Sequence, residues 1–167
     1  MSTEFSIAPL TDIARIGELH SLVLNAFRDL AIDPPSSVLK ETVADFAARL
    51  KTETALVAEV HGSIIQHSVA HSSLVGGVFC ADTGDSLYVG RLAVRGDARR
   101  LGVASALLEA AKAEARGLGL GRLTLSTRIA LTSNVALFRK HGFVVTAEQS
   151  HPGFSHPTFY DMELRLV

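Results

Sequence analysis

The stretch GRLAVRGDARRLGVASALLEAAKAEA (residues 90–115) decides the fold, because it predicts a strand, a tight turn and a helix in immediate succession. Two arginines, Arg99 and Arg100, lie where the helix should begin. The first backbone N–H groups of a helix have no partner within it and lie at the positive end of its dipole. Gly102 and Ala104 leave room for a ligand near this backbone. The pattern therefore predicts a binding site for a diphosphate.

Two other glycine-rich phosphate loops do not fit the chain. The pattern Gly-x-x-x-x-Gly-Lys-Ser/Thr is absent, because no Gly-Lys pair occurs in the sequence. The dinucleotide pattern Gly-x-Gly-x-x-Gly is not found at this strand-to-helix turn. The segment GLGLG (117–121) follows a predicted helix and precedes a strand. It is typical of a helix end rather than of a phosphate loop.

The sequence before this stretch predicts two amphipathic helices. Thr11 is the predicted cap of the first helix, and the segment IDPPSS ends it. Ser36 or Ser37 is the predicted cap of the second helix. Within that helix Asp45 and Arg49 are spaced as an i,i+4 ion pair.

Apolar and β-branched segments separated by turn residues predict seven strands. They cover residues 5–8, 54–60, 63–74, 86–94, 122–127, 143–149 and 158–167. The second and third form a predicted hairpin around a turn at His61 and Gly62. A further helix, residues 133–141, precedes the sixth strand and is closed by Gly142. The order of elements predicts an α+β fold.

The composition indicates one globular domain over residues 1–167, with 47% hydrophobic and 20% charged residues. A formal net charge of −1 argues against nucleic-acid binding, which depends on a surplus of positive charge. No apolar run approaches the roughly 18 to 20 residues that cross a bilayer, and the N-terminus lacks the pattern of a signal peptide. The single cysteine, Cys80, cannot form an internal disulfide. These features predict a cytoplasmic protein.

Two motifs together resemble one enzyme family. Arg99-x-x-Gly102-x-Ala104, between a strand ending RLAV and an alanine-rich helix, resembles the acyl-CoA pyrophosphate loop of the GNAT acetyltransferases. The segment SNVALFRKHGFVVTAE (133–148) resembles the next segment of that family, in which an Asn precedes a short helix and a Gly-Phe strand start. The resemblance implies a GNAT-like single domain. Its central sheet would be mixed and mostly antiparallel, with helices on both faces.

The resemblance also implies an acyl-CoA site in four parts. The pantetheine arm would pair with Leu92, Ala93 and Val94. The pyrophosphate would be held by Arg99, Arg100, Leu101, Gly102, Val103, Ala104 and Ser105. Asn134 would bond the pantetheine or its phosphate side, and Phe138 would lie by the thioester. Asn134 alternatively only starts a helix, and Phe138 alternatively only fills the core.

Acyl transfer to an amine needs the amine in its free form. An amine with a pKa of about 10.4 is free at pH 7 in only about 1 part in 2,500, a handicap of roughly 4 to 5 kcal/mol. Tyr88, on the strand that leads to the loop, is the first candidate for this task, although its own pKa favours positioning water or packing. His67 and His71 share one face of a predicted strand and are alternative bases, as is Glu59. Each can equally be an ordinary strand residue.

The leaving group raises a separate question, because many members of the resembling family carry a tyrosine where this chain has Phe138. Phenylalanine cannot protonate the departing thiolate. A thiol of pKa about 8.5 leaves as thiolate at pH 7 at a cost of about 2 kcal/mol, so the reaction survives this loss. Tyr160 is the candidate substitute.

These features predict an acyl-CoA-dependent N-acyltransferase that transfers acetyl from acetyl-CoA to a primary amine by direct attack in a ternary complex. No motif positions Cys80 as a nucleophile. The alternative is a non-catalytic domain that holds acyl-CoA as a sensor or scaffold. The acceptor would be a small-molecule or peptide amine, and the resemblance implies a homodimer.

The acceptor pocket should be shaped by the first two helices and by the proline-stiffened loop 151–157, which carries Phe154 and His156. The histidines do not predict a metal site. His67 and His71 are four residues apart on a strand, about 13 Å, which is too far to share an ion.

Overall fold

The computed structural model describes residues 5–60 and 73–167. The strands in these ranges are β1 (Phe5–Pro9), β2 (Glu53–Val60), β3 (Leu74–Asp82), β4 (Leu87–Val94), β5 (Arg122–Arg128), β6 (Val144–Gln149) and β7 (Phe159–Arg165). The helices are α1 (Ile16–Arg28), α2 (Val43–Arg49), α3 (Val103–Gly117) and α4 (Thr132–Lys140), and 3₁₀ turns cover Ile13–Arg15, Ser37–Lys40 and Gly96–Ala98. None of the helices described is long and apolar enough to cross a membrane.

The strands form one sheet in the order β1-β2-β3-β4-β5-β7-β6, in which only β4 and β5 are parallel. This confirms the predicted mixed, mostly antiparallel sheet. The β4 and β5 strands pair only at Leu87 with Leu123 and at Tyr88 with Thr124. Beyond those pairs the two strands separate, so the sheet is split in its centre.

A bulge in β4 accompanies the split. Arg91 has a positive φ of 55°, and the register between β3 and β4 shifts between Gly77 and Phe79. A bulge bends a strand and increases its local twist. The bulge lies in the part of β4 that no longer pairs with β5.

Helices cover both faces of the sheet, as predicted. On one face α3 buries Val103, Leu107, Leu108, Ala111 and Ala115 against the sheet. On the other face α1 and α2 bury an independent cluster that includes Leu19, Val23 and Phe46. Each stripe follows the i, i+3, i+4 spacing of an amphipathic helix. Leu118, which follows α3, is 49% exposed, so the buried stripe ends at Ala115.

The strand β3 was not among the predicted strands, and the predicted strand 63–74 is not tested. The segment 63–74 and the turn at His61 and Gly62 fall almost wholly outside the described residues, and β3 covers Leu74–Asp82. Gly76 and Gly77 are the reason this strand is easily missed, because glycine is uncommon inside strands. A Cβ on Gly76 would lie 2.7 Å from Val103 of α3, and one on Gly77 would lie 2.6 Å from Leu19 of α1. The two glycines let helices pack closely on both faces.

The helix starts also differ from the predictions. Asp12, rather than Thr11, accepts the hydrogen bond that caps the first helical segment. Ser36 caps only a 3₁₀ turn, and α2 begins at a capping box formed by Thr42 and Asp45. A capping box satisfies two backbone N–H groups that a helix start leaves free.

The predicted ion pair between Asp45 and Arg49 is wrong. Asp45 is engaged in the capping box, and the Arg49 guanidinium lies 2.9 Å from both Glu41 and Glu53. Arg49 therefore ties α2 to the segment before it and to the start of β2.

Candidate active site

A cavity of about 980 Å³ opens where β4 and β5 separate. Its walls come from the end of α1 and the segment after it, from β4, the start of α3, the end of β5 and α4. Of the residues predicted for the acyl-CoA site, and Tyr88 with them, the cavity brings together all except Leu101, which is 39% exposed and does not line it. These lining residues are Tyr88, Leu92, Ala93, Val94, Arg99, Arg100, Gly102, Val103, Ala104, Ser105, Asn134 and Phe138.

The N-terminus of α3 forms one end of this cavity. Gly102 caps the helix with a φ of +81°, a conformation that costs other residues strain, and it offers no side-chain cap. The first backbone hydrogen bond of the helix runs from Ala106 to Gly102, so the N–H groups of Val103, Ala104 and Ser105 precede it. Apart from its chain neighbours and the backbone of α3, no atom of the described residues lies within 4 Å of where a Cβ on Gly102 would be. The open space and the free N–H groups fit a phosphate.

Ser105 is held in place by two residues that sequence analysis missed. Its hydroxyl lies 3.0 Å from Nε2 of His141, and Nδ1 of His141 lies 3.2 Å from Oε1 of Glu109. Glu109 also accepts a bond from Lys112 at 2.8 Å, which with the His141 contact holds the pKa of its carboxyl below the usual value. This chain of contacts fixes the Ser105 side chain at the cavity wall. Ser105 and Glu109 on α3 meet His141 only because α3 packs against the end of α4. The sequence therefore gives no local signal for this chain of contacts.

The edge of β4 that faces the cavity is available for pairing. The strand is bonded to β3 on its other side, through pairs such as Gly77 with Ala93 and Gly76 with Val94. Past Tyr88 it has no pairing with β5. An extended chain could therefore add to this edge as a further strand does.

Asn134 and Phe138 lie on α4. Asn134 is exposed and is the third residue of the helix, whereas Leu131 is the N-cap residue and has no side-chain capping bond. Phe138 is only 6% exposed and packs edge-on against Phe143 at 6.0 Å. Phe138 thus belongs to the core and lines the cavity at the same time.

Tyr88 is 36% exposed and lines the cavity at the point where the strands part. Its neighbours Leu87 and Val89 are buried in the cluster beneath α3. Because side chains alternate along a strand, Tyr88 projects to the opposite face, toward α1. Gly90 gives the ring room, since a Cβ there would lie 3.3 Å from it.

The other candidate bases and acids are placed less favourably. Glu59 accepts bonds from Arg15 at 3.0 Å and from Ser73 at 2.7 Å and is not among the cavity-lining residues described. Tyr160 packs against the core cluster beneath α3 and does not line the cavity either. His67 and His71 lie outside the described residues.

Cys80 lies on β3 and is 2% exposed. Burial raises the pKa of its thiol to about 12. It is a core residue, and it is not activated as a nucleophile.

A histidine lines the cavity from the loop between β6 and β7. His151 is anchored at Thr158, whose hydroxyl accepts its backbone N–H at 2.9 Å and is hydrogen-bonded to its Nδ1. The ring packs at 4.9 Å against Phe159, which is paired with Arg128 across the sheet. Burial, and then the positive charge of Arg128, lower the pKa of His151 below its ordinary value. The imidazole is therefore neutral at pH 7. Of the loop residues that sequence analysis assigned to the pocket wall, Phe154 supports this ring at 6.4 Å, but neither Phe154 nor His156 lines the cavity.

Arg128 ends β5 beside His151 and lines the same cavity. Its guanidinium donates one bond, at 3.4 Å, to the carbonyl of Pro35. Among the described residues it forms no ion pair, whereas Arg91 on β4 is bonded to Glu41. Burial lowers the pKa of Arg128, and the nearby Asp33 offsets this only in part. Sequence analysis assigned no role to Arg128.

The sequence matches the model of the Acetyltransferase (GNAT) family over residues 20–143. The chain therefore belongs to the GNAT family, and the enzyme class predicted from the sequence is confirmed. No curated protein matches the sequence.

Solved structures of acetyltransferases share the fold. Ard1 from Thermoplasma volcanium superimposes with a TM-score of 0.76 at 18% identity, covering 98% of each chain. The PaiA N-acetyltransferase from Thermoplasma acidophilum, solved in complex with coenzyme A, gives 0.75 at 14% identity, covering 97% of this chain and 99% of its own. A GNAT-family acetyltransferase from Streptococcus pneumoniae gives 0.73 at 18% identity, covering 98% of this chain and all of its own. These similarities confirm the predicted fold.

Proposed function

We propose that this chain transfers an acetyl group from acetyl-CoA to a primary amine by direct attack in a ternary complex. The observation that carries the proposal is the cleft between β4 and β5, which leads from Tyr88 along a free strand edge to the open N-terminus of α3. These features follow one another in the same order as the thioester, the long pantetheine arm and the diphosphate of an acyl-CoA. We also propose that residues 1–167 act as one domain in the cytoplasm.

The chain's own groups would hold the cosubstrate in three places. The N–H groups at the start of α3 and the cations Arg99 and Arg100 would bind the diphosphate. The backbone of residues 92–94 would pair with the pantetheine amides, with Asn134 opposite on α4. Acetyl-CoA supplies an activated carbonyl, and the cleft would place that carbonyl near Tyr88 and Phe138.

His151 is the side chain we assign to deprotonate the acceptor. In the tautomer in which Nδ1 donates to Thr158, which is the one this role requires, the lone pair of Nε2 is available to take a proton. The lowered pKa of the ring keeps it in this basic form at neutral pH. Tyr88 has an exposed face in the cavity and would position the amine or a water between it and the base.

No acid is needed on the leaving group. Phe138 presents a buried, apolar ring at the cavity wall and has no proton to donate. The CoA thiolate would therefore leave unprotonated and then take a proton from solvent. The buried Cys80 takes no part, which agrees with direct attack rather than a covalent enzyme intermediate.

The experiment compares two glycine variants by isothermal titration with acetyl-CoA. Gly102→Glu places a carboxylate in the open space at the start of α3 and should weaken binding by about 100-fold or more. Gly119→Glu is the matched control, because Gly119 also has a positive φ, +73°, and open space around it, but lies beyond the other end of α3. The control should bind acetyl-CoA like the unaltered protein. Equal affinity of both variants would remove the loop from the site.

Turnover separates the enzyme from a sensor or scaffold that only holds acyl-CoA. An enzyme releases free thiol from acetyl-CoA in proportion to added amine, whereas a sensor binds CoA and releases none above background. The availability of a neutral His151 in the cavity favours the enzyme.

A further inference from the structure

We propose that the acceptor carries an anionic group, a carboxylate, and that Arg128 binds it. This inference rests on the proposed function, because it names the class of acceptor that the same cavity takes.

The charge of the cavity wall is the first argument. Among the described residues that line it, the charged ones are four arginines, and none is an aspartate or a glutamate. Three of the arginines are accounted for. Arg99 and Arg100 lie at the diphosphate end, and Arg91 is bonded to Glu41. Arg128 remains, as the last residue of β5.

The state of Arg128 is the second argument. A guanidinium has five N–H donors in a planar fork, and the described residues use one of them, in a long bond to the Pro35 carbonyl. The side chain is half-buried, so its charge has lost part of its water. Asp33 attracts it and offsets this only in part, and no ion pair joins Arg128 to a carboxylate among the described residues. Partial burial without a partner destabilises a charge. A carboxylate from a ligand could accept two parallel N–H bonds from the guanidinium and compensate its positive charge.

The position of Arg128 on the sheet is the third argument. Thr124, Ser126 and Arg128 alternate along β5 onto one face, and Tyr88 lies beside Thr124 on that same face. His151 reaches the cavity next to Arg128. The nearest acidic residue on the adjoining strand, Asp161, is occupied by Ser126 at 2.7 Å and Gln149 at 3.1 Å. An acceptor held by its carboxylate at Arg128 would thus have its amine within the region of His151, with Tyr88 four strand positions away beside Thr124.

The pairing also explains how the base responds to substrate. Arg128 repels a proton from His151 while its own charge is unbalanced. A bound carboxylate would neutralise that charge and make His151 more basic. An amine acceptor without a carboxylate would leave His151 as weak a base as before, and Arg128 would still lack an ion-pair partner. Both effects favour an acceptor that carries a carboxylate near its amine.

The first arm of the test needs no turnover. The protein is titrated with succinate and with succinamide, in the presence and in the absence of CoA. Succinate should bind at least about tenfold more tightly than the neutral diamide, in keeping with a charge-assisted pair. In Arg128→Gln the difference should fall to within about threefold. Arg116→Gln, an exposed arginine on α3 outside the cavity lining, is the matched control and should keep the full difference.

The second arm measures thiol release from acetyl-CoA with amino acids and with their carboxamides. The carboxylate forms should have a kcat/KM about 10 to 100 times higher, and Arg128→Gln should abolish the preference. Equal binding of succinate and succinamide, or a preference that survives Arg128→Gln, would overturn the inference. Failure of CoA to bind would instead refute the proposed function, and the succinate titration without CoA would still report on Arg128.

Discussion

Replacing His151 with glutamine tests whether this ring takes the proton from the acceptor amine. An alkyl amine is free at pH 7 at a cost of roughly 4 to 5 kcal/mol, and a positioned base typically recovers about 10² to 10⁴ in rate. His151→Gln should therefore lower kcat/KM by about 10² to 10⁴, or about 3 to 5.5 kcal/mol of transition-state stabilisation. Affinity for acetyl-CoA should remain, because His151 is not among the groups that we propose hold the cosubstrate.

The pH dependence of kcat/KM tests the same assignment of His151. Burial and the charge of Arg128 lower the pKa of His151, so the basic form persists to below about pH 6.5. The acid limb of kcat/KM should lie below that pH in the unaltered protein and move to higher pH in Arg128→Gln. The assay is thiol release from acetyl-CoA across pH 5 to 9. His156→Gln is the control, since His156 is on the same loop but outside the cavity lining. An activity within threefold of normal in His151→Gln, with the limb unmoved, would refute the assignment.

Two further variants test the positioning of the amine and the packing of the sheet. Tyr88→Phe should lower kcat by about tenfold or more while the dissociation constant of acetyl-CoA changes little, and equal rates would return Tyr88 to a packing role. Gly76→Ala should destabilise the fold by about 1 to 3 kcal/mol, because the added methyl group would lie 2.7 Å from Val103. Thermal melting measures this, with Gly117→Ala, which has open space around it, as the control. A melting temperature unchanged in both would mean that α3 can move aside without cost.

The part of the fold that could be predicted lies in local patterns. The helix after Arg99 and the helix at Asn134 have apolar residues at helical spacing and glycines at their ends, so one segment of sequence is enough to predict each. The strand β3 could not be found this way. Its glycines at 76 and 77 are unfavourable for a strand in isolation and are required only because helices approach both faces.

The candidate site, like the fold, has one part that local sequence patterns predict and one part that they do not. The diphosphate end is one continuous strand, turn and helix, so its residues stand together in the sequence. The acceptor end is assembled from distant segments. Arg128 and His151 meet because β5 pairs with β7 and the loop before β7 folds back on Phe159. No spacing in the sequence reports that contact. The loop 151–157 was predicted to shape the acceptor pocket, but Arg128 was assigned no role and His151 no role of its own.

Titration of the purified protein with acetyl-CoA, with ADP as the comparison, tests the central claim most directly. The account predicts tight binding of acetyl-CoA and weaker binding of ADP, because ADP engages the start of α3 but has no pantetheine arm to pair with residues 92–94. Absence of acetyl-CoA binding, or equal affinity for ADP, would contradict the assignment of the cleft between β4 and β5 as an acyl-CoA site.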